Sequence, residues 1–130
     1  MDLIARLNAN VNAIPNLPIK CRIGYLKPTE SFCVYPQPGG RVVNAYYDGT
    51  KDQQLNFEFA MKSTDQQKIN NTLWLVQNHL EALETLTSLD GSFDFDEIII
   101  TNKPFINQLD DTGYYIFMLD IQVSATTYNK

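Results

Sequence analysis

An α+β fold, with helices backing an antiparallel or mixed sheet, follows from two periodicities and the turn signals that separate them. Leu55, Phe57, Phe59 and Met61 alternate with Gln54, Asn56, Glu58 and Lys62, the period-two pattern of a strand with one face on a core and the other turned away from it. Ile69, Leu73, Val76, Leu80 and Leu83 then step by four, three, four and three, an apolar stripe of about 20 residues opposed by Asn70, Asn71, Gln77, Asn78, Glu81 and Glu84. The expected architecture is an N-terminal helix, several strands, a long central helix packed on one sheet face and two C-terminal strands, all in one domain over 1–130.

Leu3, Ile4, Leu7, Val11 and Ile14 recur at helical spacing, and Pro15 and Pro18 end any helix, so the first helix covers about residues 2–13. Ile19 to Gly24 and Ser31 to Tyr35 read as short strands. Pro36, Gln37, Pro38, Gly39 and Gly40 predict an exposed loop, because two prolines remove donors and two glycines add backbone freedom. Val42 to Tyr47 is a strand, Asp48-Gly49 is a hairpin signal, and the polar run to Gln53 predicts a turn longer than two residues. The strand Gln54 to Lys62 returns antiparallel. Thr64 and Gln67 have the spacing of a capping box, with Asp65 favourable at the helix N-terminus.

Ile98-Ile99-Ile100 marks a strand over roughly 95–102 that Pro104 should break, and Asp110-Asp111-Thr112-Gly113 reads as a hairpin loop. The last strand, Tyr114 to Val123, is apolar on both faces at its start. Tyr115, Phe117, Leu119, Ile121 and Val123 share one face, while Tyr114, Ile116 and Met118 lie on the other, which calls for a covering helix or a neighbouring subunit.

Composition narrows the function classes. A chain of 130 residues with 44% hydrophobic and 19% charged residues can build a core unaided. No apolar run approaches bilayer-spanning length and the N-terminus has no secretory pattern, so a cytosolic site of synthesis and no membrane partner are expected. Cys21 and Cys33 fit neither a redox pair nor a zinc spacing and read as reduced, partly buried thiols. Ten scattered basic residues against fifteen acids, a net charge of −5, disfavour a grip on nucleic acid while leaving room for DNA that passes without sticking.

Candidate chemistry is sparse. His79 is the single histidine and lacks triad or metal partners in the sequence. Asp90, Asp94, Asp96 and Glu97 are the candidate metal ligands, but the glycine follows the first aspartate, not the third ligand of an EF-hand, so a solvated acidic loop is the simpler reading. Gly39-Gly40 lacks the strand-then-helix context of a phosphate loop. No cofactor and no catalytic residue is expected.

The order of elements, the Tyr46-Tyr47-Asp48-Gly49 turn, the phrase Leu55-x-Phe57-x-Phe59-x-x-Lys62-x-x-Asp65 and the apolar final strand together resemble the tail terminator proteins of long-tailed bacteriophages, often labelled minor capsid proteins. The resemblance implies a non-enzymatic virion subunit, assembled in the bacterial cytoplasm, that forms a ring of typically six copies at the head-proximal end of the tail tube. Such a ring stops tube polymerisation and meets the tail tube protein on one side and a head-completion protein on the other, with DNA passing through. On that reading Tyr114, Ile116, Met118, Tyr46, Asp48 and Gly49 are the subunit-interface candidates, and Pro36, Gln37, Pro38, Gly39, Gly40, Lys51 and Asp52 are partner-contact loops. Two rivals stay open: a small-ligand or regulatory domain, which would need a deep apolar pocket, and a divalent-metal enzyme built on the 90–97 acids.

Overall fold

The computed structural model describes residues 2–109 and 113–128, and side chains outside 104–109. Two helices and five strands follow the order α1 (Leu3–Asn12), β1 (Arg22–Ile23), β2 (Ser31–Ala45), β3 (Lys51–Ser63), α2 (Gln66–Glu81), β4 (Phe93–Leu109) and β5 (Tyr115–Thr127). The strands form one mixed sheet in the order β1-β2-β3-β5-β4, antiparallel except for the β1/β2 pair. The α+β expectation stands.

The β3/β5 pair is the spine, running without a register shift from Lys51↔Thr127 to Ser63↔Tyr115. Period two then sorts the side chains. Phe57, Phe59 and Met61 from β3 and Phe117, Leu119, Ile121 and Val123 from β5 point to the face that meets Leu3, Leu7 and Val11 of α1 and Ile69, Leu73, Val76 and Leu80 of α2. Phe32 and Phe59 stack tilted at 6.1 Å between centroids within this layer. Each such side chain, fully buried, contributes about 1.5–3 kcal/mol of transfer free energy, so the helix-covered face holds most of the fold's stability.

Several expectations need correction. The stretch Pro36–Gly40 is not a loop; β2 runs through it to Ala45. Val34 directs its carbonyl outward to the Gly24 amide (3.0 Å), so Pro36 and Pro38, of the same parity, lack only the outward N–H groups, where β1 has already ended. A register shift between Gln37 and Arg41 takes up the surplus residues, and glycine is required there. Gly39 has φ +99°, and a Cβ on Gly40 would lie 2.8 Å from the Gln54 carbonyl oxygen.

The turn after β2 is shorter than the expected 48–53 loop. The Tyr46 amide donates to the Thr50 carbonyl (2.9 Å) and the Gly49 amide to the Tyr46 carbonyl (3.1 Å), so Lys51, Asp52 and Gln53 already belong to β3. β1 shrinks to two residues of the Ile19–Gly24 expectation. Pro104 does not end β4, which is an edge strand and absorbs the proline in a register shift between Asn102 and Phe105. The expected 110–113 hairpin loop lies largely outside the described residues.

Helix α2 spans 16 residues, shorter than the apolar stripe suggested, because Leu83 packs on the core from beyond the helix end. Its N-cap is Asp65, whose Oδ1 accepts from the Lys68 amide at 3.1 Å. That places Gln67 at the second helical position, too early for the reciprocal arm of a Thr64 capping box.

Candidate assembly surface

With both helices on one side, the other sheet face is built from the alternate residues of each strand. Across it run the cross-strand rows Cys33, Ala60 and Met118, then Tyr35, Glu58, Asp120 and Asn102, then Gln37, Asn56, Gln122 and Ile99. One end is apolar and the other polar.

The middle row carries the most unusual chemistry. Glu58 is only 6% exposed. Its Oε1 accepts from the Tyr35 hydroxyl and its Oε2 from Gln37 Nε2 at 2.7 Å. Its cross-strand neighbour Asp120 accepts from Asn102 Nδ2 at 2.8 Å through Oδ2, while its Oδ1 is buried with no hydrogen-bond partner among the described residues. Burial, followed by the neighbouring carboxylate of Asp120, raises the Glu58 carboxyl to about 7 against the opposing hydrogen bonds of Tyr35 and Gln37. The buried site thus favours the protonated form of Glu58. Burial and the Glu58 hydrogen bond also push the Tyr35 phenol well up. The alternation at 54–62 marked Glu58 as off the core face, but only the β3/β5 register, invisible in the sequence, sets it against Asp120.

The interface candidates fall into two groups at opposite ends of the sheet, since β5 starts beside Ser63 and the hairpin tip precedes Lys51, roughly 40 Å apart at a strand's rise per residue. At one end Lys62 Nζ sits 5.0 Å over the Tyr114 ring and Met118 is half-buried. Ile116 is not an outward apolar group as expected but is buried to 7% exposure within the protomer. At the other end the Tyr46 hydroxyl donates to Asp52 Oδ2 (2.8 Å), Thr126 donates to Asp52 Oδ1 (2.8 Å), and Asp48 Oδ1 accepts from the Thr50 amide (3.0 Å). These contacts hold both aspartates below the ordinary carboxylate range. Gly49, at φ +89°, makes the turn possible. Tyr47, absent from the candidate set, projects fully into solvent beside exposed Val42, Val43 and Tyr46.

The acidic run does not converge. Asp90 accepts from Ser88 Oγ (2.8 Å) and the Ser92 amide (2.9 Å), and Asp94 accepts from the Tyr128 hydroxyl. Asp96 and Glu97 stand exposed at a bulge of β4. Among the described residues no group of three or more His, Cys, Asp or Glu side chains is placed to hold a metal ion. His79 bonds Asn10 and so ties α2 to α1. Burial raises the free thiols of Cys21 and Cys33 to about 12 and about 11, so both are protonated at neutral pH. One depression, about 740 Å³, is open and rimmed mainly by polar residues Thr64, Asp65, Gln66, Gln67 and Asn70 with Tyr115 and Phe117. No described helix is long and apolar enough to cross a membrane.

Comparison with known proteins bears on this surface. The profile of the family described as bacteriophage tail terminator protein matches residues 6–127. This chain belongs to the tail terminator family. No curated protein matches it. Among solved structures, a chain from the virion of a native gene transfer agent particle shares the fold at a TM-score of 0.58 with 11% identity, over 92% of this chain and 84% of that one. As a tail terminator family member the chain is a structural phage protein, which gives its open sheet face and projecting hairpin a setting among other virion subunits.

Proposed function

We propose that this chain acts as one domain that assembles into a ring, of six copies, capping the head-proximal end of the tail tube. The ring ends tube polymerisation and offers its far side to a head-completion protein. The family match over 6–127 carries this reading, and the geometry supports it. A rigid helix-backed sheet leaves one face, two edges and a projecting hairpin available for neighbours. The hairpin residues Tyr46, Tyr47, Asp48 and Gly49, with Pro36–Gly40, Lys51 and Asp52 along its stem, are the contact element toward tube or head. Tyr114 and Met118 form a second contact at the opposite end, with Ile116 supporting them from inside. The acidic balance of the chain lets DNA pass without being held.

The role is structural, without turnover of nucleotides, peptides or phosphoesters. The deciding experiment is electron microscopy of a lysate made without the chain. Filled heads beside unattached tails, some running past normal length, are expected. Normal-length tails joined to heads would overturn the reading.

A further inference from the structure

The two open edges of the sheet carry opposite, uncompensated charge. At the β1/β2 edge Lys20, Arg22, Lys27 and Arg41 are all exposed. Lys20, Arg22 and Lys27 line one concavity of about 160 Å³ together with Glu30, whose own carboxylate is paired with Lys68. The side chains of Lys20, Arg22 and Lys27 have no polar partner among the described residues, and Arg41 uses only its Nε, on Gln54. On β4, the opposite edge strand, Asp96 and Glu97 are exposed and equally without partners among the described residues, and with Val43, Asn44 and Asp52 they line a concavity of about 280 Å³ at the hairpin end of the open face. Lys103 is the one opposing charge described on that strand.

Each edge also shows apolar surface next to its charges. Ile23 and Val42 are 49% and 47% exposed at the basic edge and Ile99 is 44% exposed at the acidic one, while Val43 lies in the concavity that also holds Asp96 and Glu97. A bare sheet edge is an association hazard unless it is blocked or occupied. Here β4 is blocked by an isolated bridge only at Asp94, against Thr87, and Pro36 and Pro38 remove two outward donors from β2. The prolines disfavour one unbroken intermolecular sheet, leaving side-chain charge and apolar contact as the means of association.

We propose that copies of this chain associate head to tail, the Asp96–Glu97 edge of one copy set against the Arg22–Arg41 edge of the next. Two different, complementary patches make a heterologous contact, which closes into a ring when the rotation between copies permits. Like edges repel, so the same charges disfavour pairing basic with basic or acidic with acidic edges. The inference rests on the ring reading and specifies how its subunits meet.

Charge reversal tests it. D96K/E97K makes both edges basic, and K20E/R22E/K27E/R41E makes both acidic; all six positions are solvent-exposed, so circular dichroism and the unfolding midpoint should match the unaltered chain. Native mass spectrometry of the chain alone, and binding to terminator-free tails, provide the readouts. The unaltered chain should form rings in at least one of the two settings, weakened by salt. Each reversed variant should associate at least about tenfold more weakly, and an equimolar mixture should restore even-numbered, alternating rings. Rings persisting in both variants, or no rescue on mixing, would overturn the edge contact while leaving the ring intact. Failure of the unaltered chain to form rings in either setting would overturn the ring reading and this inference with it.

Discussion

The same strands present two unlike faces. On β5, Leu119 and Ile121 lie fully within the core while Asp120, between them, looks the other way at a carboxyl pair with Glu58. The helix-covered face is continuous hydrocarbon from α1 through the sheet to α2. The open face grades from Cys33, Ala60 and Met118 at one end to Gln54, Ser124 and Thr126 at the other. The first face supplies most of the core, and the second adds the buried Cys33, Ala60 and Ile116 at one end. The second is polar where solvent or a neighbour reaches it and retains a buried acid that a soluble monomer has no need of, which fits a surface shaped for assembly.

The contrast can be broken most sharply from the covered side. Phe59→Ala removes a fully buried ring and should cost about 3–5 kcal/mol, read from the denaturant midpoint. On the open face the effect should depend on pH. Glu58 titrates near 7 in the folded chain against about 4.5 when unfolded, so the folded state binds the extra proton between those values. Its contribution is complete below about 4.5 and is lost as pH rises through 7. Glu58→Gln, permanently neutral, should therefore flatten the profile and gain about 1–2 kcal/mol on the unaltered chain between pH 5 and 8, less than the whole shift because water reaches this face. Parallel profiles would mean that Glu58 holds no extra proton in the folded chain.

Asp65→Ala, which removes the α2 cap, should cost about 1 kcal/mol by the same denaturation measurement. Tyr47→Ser should change monomer stability by less than about 0.5 kcal/mol, since the ring touches nothing in the protomer that exposure would spare. A loss of tail capping in that variant without loss of stability would sharpen the comparison, assigning the hairpin to partners.

Much of the covered face was legible in the sequence, because helix and strand periodicities report burial directly: Leu3, Leu7 and Val11, Ile69 to Leu80, and Leu55 to Met61 were all placed by spacing. The open face was not, since it depends on which strands are neighbours. Proline misled twice for one physical reason. Pro36 and Pro38 read as breakers, yet their missing donors point to an edge with no strand beside it, and Pro104 also lies on an edge strand. Ile116 misled in the other direction, as an apolar side chain on the outer face that the protomer itself buries. The acids at 90–97 looked like one cluster, whereas local hydrogen bonds take up Asp90 and Asp94 and leave Asp96 and Glu97 at the edge.

The most direct measurement is a reconstruction of the head-proximal end of the assembled tail by electron microscopy, with this chain labelled. A single ring of six copies between the last tube ring and the head, each helix-backed sheet meeting its neighbours edge to edge, is the predicted result. The label elsewhere in the virion, or a lone copy at that position, would contradict it.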